Sequence, residues 1–218
     1  MDSCFSEFDI DPPTSNARLE ADCQSELSAR ETSITIRKAC NQDLNDLAEV
    51  LAQSFHPSVG LMAWAYPILK LGIQEDLRGR LQEGSAQYVC FAAVLSRQGT
   101  KDNPTLSTPK VTGTVELAVR SAIFPGSSRY AYISNLAVSP FYRRQGIARK
   151  LLANCEPAAR AWGFREIYLH VLENNDRARK LYTSSGYRLH RIESSLFGAW
   201  LKRPRRLLLR KSLLIIDN

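Results

Sequence analysis

Residues 130–187 read YAYISNLAVSPFYRRQGIARKLLANCEPAARAWGFREIYLHVLENNDRARKLYTSSGY, and the order of features in that stretch decides the fold. An apolar run, Tyr130–Val138, ends at Ser139-Pro140. Arg143-Arg144-Gln145-Gly146-Ile147-Ala148 then opens a helical pattern that continues through Arg149 and Lys150-Leu151-Leu152. A second strand pattern, Glu166–Val171, is followed by Asn175-x-x-Ala178-x-x-x-Tyr182 and Gly186-Tyr187. A strand that feeds a tight loop and then a helix is a device for anion capture. The first N–H groups of a helix lack internal partners and carry the positive end of its dipole, so backbone alone can bind a pyrophosphate there. Gly146 and the small Ala148 leave room for close approach, and Arg143, Arg144 and Arg149 add charge. Neither G-x-x-x-x-G-K-[ST] nor G-x-G-x-x-G occurs in the chain, so the two commonest phosphate loops are excluded.

With these residues in view, the segment resembles the GNAT superfamily of GCN5-related N-acetyltransferases. The family pattern (R/Q)-x-x-G-x-(G/A) is met by Arg143, Gly146 and Ala148. The following N-x-x-A-x-x-x-Y is met by Asn175, Ala178 and Tyr182. The resemblance runs from Ile34 to about Leu214 in the order of elements, with its motif core at Tyr132–Tyr187. It implies an α/β fold with a mixed, mostly antiparallel sheet, splayed between strands 4 and 5 and covered by helices on both faces. It also implies acetyl-CoA as cosubstrate, with no metal. The backbone of Leu136, Ala137 and Val138 is expected to pair with pantetheine, and the loop Arg143, Arg144, Gln145, Gly146, Ile147, Ala148 and Arg149 to hold the diphosphate. Asn175 is expected to contact pantetheine or nearby backbone, and Tyr182 to protonate the departing sulfur.

The expected base departs from the commonest family pattern, which places Glu on the fourth or fifth strand. Tyr132 stands on the fourth strand here, and the fifth reads Leu169-His170-Val171. This resembles the NatE-type N-terminal acetyltransferases, in which a Tyr and a His hold the water that deprotonates the amine. Tyr132 and His170 occupy the matching positions, and a histidine with pKa near 6.5 suits a base at neutral pH. An α-amine of pKa 7.7–8.0 is deprotonated at pH 7 for about 1–1.4 kcal/mol, a lysine of about 10.4 for about 4.6. Protein N-termini are therefore the first expected acceptor, with lysine side chains second. Phe55, Val59 and Tyr187 are expected substrate contacts.

The remaining sequence frames this core. At 218 residues and 44% apolar content, the chain can bury one sizeable core. Residues 1–31 hold eight acids against two bases, with Pro12-Pro13 and many serines, and read as a disordered acidic extension to a domain at 32–218. With a net charge of +7 overall, that leaves about +13 on the domain, much of it in Lys202–Arg206 and Arg210-Lys211. No stretch approaches the ~18 apolar residues of a membrane span. The five cysteines form no C-x-x-C pair, and the start lacks both a secretory and a transit-type pattern. A bacterial cytoplasm is the expectation, ahead of a plastid. The Arg- and Leu-rich RPRRLLLRK also resembles the cyanobacterial–chloroplast GNAT lineage, whose members act on N-termini, lysines and in some cases serotonin. Two alternatives follow. One is a small-amine (arylalkylamine or serotonin) acetyltransferase; the other is a nucleic-acid or ribosome-binding module built on the basic C-terminal third.

Periodicity predicts strands at 32–39, 87–95, 111–119, 130–138, 166–171, 187–193 and 205–214. Helices are predicted from an Asn41 N-cap to about Ser54, over 63–82 with a break near Pro67, from Gly146 to about Ala161, and over 174–185.

Overall fold

A computed structural model describes residues 32–55, 66–82, 85–97, 109–121, 129–193 and 204–213. Two compact units divide the chain, residues 1–33 with 97–107 and residues 34–96 with 108–218. The acidic extension falls in the first, outside the described residues; the second holds the sheet and the site.

Seven strands form one sheet: β1 (Thr32–Lys38), β2 (Tyr88–Arg97), β3 (Lys110–Ser121), β4 (Arg129–Val138), β5 (Glu166–Leu172), β6 (Arg188–Glu193) and β7 (Arg206–Ser212). Their spatial order is β1-β2-β3-β4-β5-β7-β6. β4 and β5 run parallel, joined by the crossover helix α3 (Ile147–Ala161); β2–β3, β3–β4, β5–β7 and β6–β7 are antiparallel. The last two strands exchange places for a reason their composition supplies. β7 carries Leu207, Leu208 and Leu209, all buried, as suits an interior strand covered on both sides. β6 is almost wholly exposed, with arginines among its residues, as suits an edge.

Helices α1 (Leu44–Phe55) and α2 (Tyr66–Gln82) cover one face of the sheet; α3 and α4 (Asp176–Ser184) cover the other. Leu47, Val50, Leu51 and Leu77 meet Cys90, Ala92, Val94 and Val111 on the first face. Ile147, Leu151, Leu152 and Cys155 meet Val115, Ile133, Ile167 and Leu169 on the second. Two helix starts differ from expectation. The turn before α1 is capped at Cys40 rather than Asn41, because the Asp43 carboxylate accepts the Cys40 N–H at 2.9 Å while also pairing with Arg37. Pro67 sits in the first turn of α2, where its missing N–H costs nothing, and so does not break the helix.

Gly113 on β3 is a packing requirement. A Cβ there would lie 3.1 Å from the Ala137 carbonyl oxygen and 3.2 Å from side-chain carbons of both Ile147 and Leu151. Gly113→Ala must therefore push the first turns of α3 off the sheet, at about 1–3 kcal/mol for overpacking. Denaturant unfolding should show that loss together with weaker CoA binding; an unchanged midpoint would contradict this account of the α3 seat.

Candidate active site

The site begins with an irregularity in β4. Glu116 faces Ser134 and Thr114 faces Ala137, so Asn135 and Leu136 together oppose Val115. That extra residue is a bulge, and Asn135 takes the left-handed φ of 52°. β4 pairs with β5 only through Ala131–Ile133. Past the bulge the strands part, and the backbone of Leu136, Ala137 and Val138 loses its neighbour on that side. This is the splay expected between strands 4 and 5.

Beyond β4, Ser139 N–H donates to Thr112 O at 2.8 Å, and Arg143 Nε donates to Val138 O at 3.1 Å, which ties the loop to the strand it leaves. Arg144 (φ 68°) and Gly146 (φ 76°) both turn left-handed. Gly146 is the N-cap of α3 and has no side chain to cap it; Lys150 N–H donates to Gly146 O at 3.0 Å. Among the described residues the amides of Ile147, Ala148 and Arg149 have no partner, as an anion site requires. A Cβ on Gly146 would meet nothing within 4 Å, so the glycine is demanded by its φ and leaves the approach open. Arg143, Arg144, Gln145 and Arg149 are exposed around it. Among the described residues, none of these arginines is in a salt bridge. Open strand backbone leading to unspent amides and to guanidinium groups with no acid partner among the described residues fits an extended cosubstrate that ends in phosphates.

At the other end of the splay, Tyr132 Oη lies 2.8 Å from His170 Nδ1. The other ring nitrogen, Nε2, is 3.0 Å from Glu193 Oε2 on β6. The carboxylate stands off the line of the N–H, since Nε2 has no well-aligned hydrogen bond, so the contact acts chiefly by charge. A carboxylate on that side favours the Nε2–H tautomer and leaves Nδ1 to accept the Tyr132 hydroxyl proton. Burial lowers the His170 pKa, as does the Arg206 guanidinium, against the opposing pull of Glu193. Burial raises the Tyr132 pKa, and the Arg120 guanidinium stacks 3.9 Å above its ring centroid. At neutral pH the pair is a neutral imidazole holding a neutral phenol.

Tyr182 projects from α4 with 9% of its surface exposed. Burial, with a smaller contribution from Tyr132, pushes its pKa up to about 12, so the phenol stays protonated at any physiological pH. Asn175 is the N-cap of α4, and its side chain accepts the Ala178 N–H at 3.1 Å, the backbone alternative expected for it. The helix ends at Gly186 (φ 89°), with Tyr187 N–H donating to Tyr182 O at 3.0 Å and Gly186 N–H to Thr183 O at 3.1 Å. This is a Schellman ending, which brings the residue after the glycine onto the last turn. Tyr187 therefore packs edge-on to Tyr182, with centroids 5.9 Å apart, and is only 1% exposed. The expected substrate contact at Tyr187 is thus corrected: it is core, and it props Tyr182. Phe55 closes α1, but its side chain and Val59 lie outside the described residues.

Three residues at or beside the site escaped the sequence reading. Glu193 is the one acid on β6, but it reaches His170 across β7, a juxtaposition that no local pattern encodes. Glu116 and Asn135 meet at the bulge; the break in alternation at Ser134-Asn135 was the available signal. The basic C-terminal third is less free than its composition suggested, since Arg205, Arg210 and Lys211 pair with Glu173, Glu166 and Glu156. No cluster of three metal-ligating side chains occurs among the described residues, and no described helix is long and apolar enough to cross a membrane.

Comparison with known proteins gives this arrangement its class. The model of the Acetyltransferase (GNAT) family matches residues 83–187, the span from β2 to the end of α4. GCN5-related N-acetyltransferase 10, chloroplastic, of Arabidopsis thaliana is 28% identical over 176 residues, covering 78% of this chain and 67% of that protein. The fold matches the PaiA N-acetyltransferase of Thermoplasma acidophilum in complex with coenzyme A (TM-score 0.59, 19% identity, 83% of this chain and 99% of that one). It also matches the ribosomal-protein-S18-alanine N-acetyltransferase of Escherichia coli (TM-score 0.54, 18% identity, 85% and 98%). The fold is that of the acetyl-CoA-dependent N-acetyltransferases. Over residues 83–187 the chain carries the sequence pattern of the GNAT family.

Proposed function

We propose that this enzyme acetylates the α-amino groups of protein N-termini and uses Tyr132 and His170 to remove the amine proton. The observation that carries the reading is the 2.8 Å contact between Tyr132 Oη and His170 Nδ1, backed by Glu193. Acetyl-CoA supplies the activated acetyl group, and the free amides of residues 147–149 with Arg143, Arg144 and Arg149 suit its phosphates. Tyr132, donating to Nδ1, keeps its oxygen lone pairs free to take a proton from the amine, directly or through a water. As its own proton moves to His170, Glu193 stabilises the imidazolium. Tyr182, held protonated by burial, supplies the proton that the leaving sulfur needs.

The relay is of moderate strength. His170 has a lowered pKa and is a modest base, which suits an α-amine close to deprotonation at pH 7 better than a lysine. The alanine acetyltransferase among the structural neighbours acts, by its name, on a protein, and so supports a protein acceptor. One observation favours a second reading. Tyr130, Tyr168 and His190 form an edge-to-face aromatic chain on the same face, with centroids 5.6 and 5.5 Å apart, and an arylalkylamine could lie against it. The deciding assay supplies acetyl-CoA with a free-N-terminus peptide, an N-blocked lysine peptide and serotonin, and follows CoA release and product mass. Preferred turnover of the free-N-terminus peptide is expected; turnover confined to lysine or to serotonin would overturn the proposal.

A further inference from the structure

Glu116 on β3 is 1% exposed, and no step above uses it. A carboxylate so far from water persists only where strong partners replace its solvation. Its two oxygens serve two different elements. Oε2 accepts from Arg80 Nη1 on α2 at 2.7 Å, and Oε1 accepts from Asn135 Nδ2 in the β4 bulge at 2.8 Å. Arg80 also pairs with Asp76 one turn earlier on α2 at 2.7 Å. Asn135 is the one residue of β4 in the left-handed region, where a side chain other than glycine's is disfavoured. A local hydrogen bond makes Asn tolerable there, and in this protein the bond is to a buried anion.

We infer that Glu116 is a positioning residue for acetyl transfer: by gripping the Asn135 amide it fixes the left-handed turn that splays β4 from β5. That turn sets the direction of the Leu136–Val138 backbone, so the grip aligns the amides meant for the thioester. Through Arg80 the same carboxylate ties the turn to α2. The inference rests on the reading of Leu136–Val138 as the cosubstrate's strand; it does not depend on which amine accepts the acetyl group. The diphosphate loop lies further along the chain and has its own supports in Gly113, Gly146 and Arg143. Loosening the grip should therefore damage turnover more than CoA binding.

Glycine provides the test, because it adopts a left-handed φ without help. Wild type is compared with Asn135→Ala, Asn135→Gly, Glu116→Gln and the double variant Glu116→Gln/Asn135→Gly, measuring kcat, KM for acetyl-CoA, calorimetric CoA affinity and Tm. Asn135→Ala and Glu116→Gln should each lose about tenfold or more in kcat, as for a misdirected oxyanion donor, with CoA affinity within about twofold. Asn135→Gly should lose several-fold less than Asn135→Ala, and the double variant should recover most of what Glu116→Gln lost. Equal activity of the Gly and Ala variants, or a double variant no better than Glu116→Gln, would overturn the inference. If Glu116→Gln fails to fold, the Asn135 pair decides alone. If wild type acetylates none of the three acceptors, the proposed function fails instead, and the crystal structure of the Asn135→Ala protein becomes the readout. Loss of the positive φ at residue 135 with extended β4–β5 pairing then supports the inference, and an unaltered bulge refutes it.

Discussion

His170→Ala should lower kcat/KM for a free-N-terminus peptide by about 10²-fold, the lower end of what a positioned general base contributes. The lower end is expected because Tyr132 remains and can still orient a water. The pH profile carries more information than the rate. In wild type two protons must leave before transfer: one from the acceptor ammonium, near 7.7–8.0, and one from His170. Arg206, Arg120, Tyr132 and Glu193 face that imidazole, and burial together with Arg206 sets its pKa below 6.5. Below that pKa the logarithm of kcat/KM should climb with a slope of two, and above it with a slope of one until the amine is neutral. In His170→Ala the steeper segment should vanish. Glu193→Gln removes the influence that raises the His170 pKa, so it should slow the reaction and also move the steep segment to lower pH. A merely structural role for Glu193 would slow the reaction without moving it. A His170→Ala profile parallel to that of wild type would remove His170 as the base.

The second large effect belongs to Tyr182. Tyr182→Phe should reduce kcat by about 10–10²-fold while CoA affinity stays within about twofold, since the hydroxyl acts on the leaving sulfur and not on the phosphates. The ring that packs on Tyr187 is kept, so Tm should change little. With its pKa at about 12, Tyr182 is protonated throughout the working range and should contribute no descending limb to the wild-type profile. A Phe variant with unaltered kcat would leave the sulfur's proton to another donor.

Much of this site was legible in the sequence because its chemistry is local. Bare amides need a strand, a turn and a helix start in succession, and Ser139–Ala148 declares all three. Leu207–Leu209, apolar at consecutive positions, fall in the strand predicted at 205–214 and are buried. What escaped depends on distant parts of the chain. The contact of Glu193 with His170 exists because β7 inserts between β5 and β6, and no local pattern in β6 says that its acid reaches across that strand. The bulge at Asn135 relies on a carboxylate 19 residues earlier in the chain. Tyr187 was misjudged for a local reason: a C′ glycine turns its successor inward onto the helix it has just ended. That rule was available, and it explains why Gly186-Tyr187 braces the proposed acid instead of lining a pocket.

The most direct test of the whole arrangement is a crystal structure with a bisubstrate analogue that joins CoA to the α-amine of a short peptide. The account predicts diphosphate oxygens on the amides of residues 147–149, the sulfur within hydrogen-bond reach of Tyr182 Oη, and the joined nitrogen within reach of Tyr132 Oη, directly or through one water. A complex with the nitrogen remote from both Tyr132 and His170, or with the phosphates away from the start of α3, would contradict it.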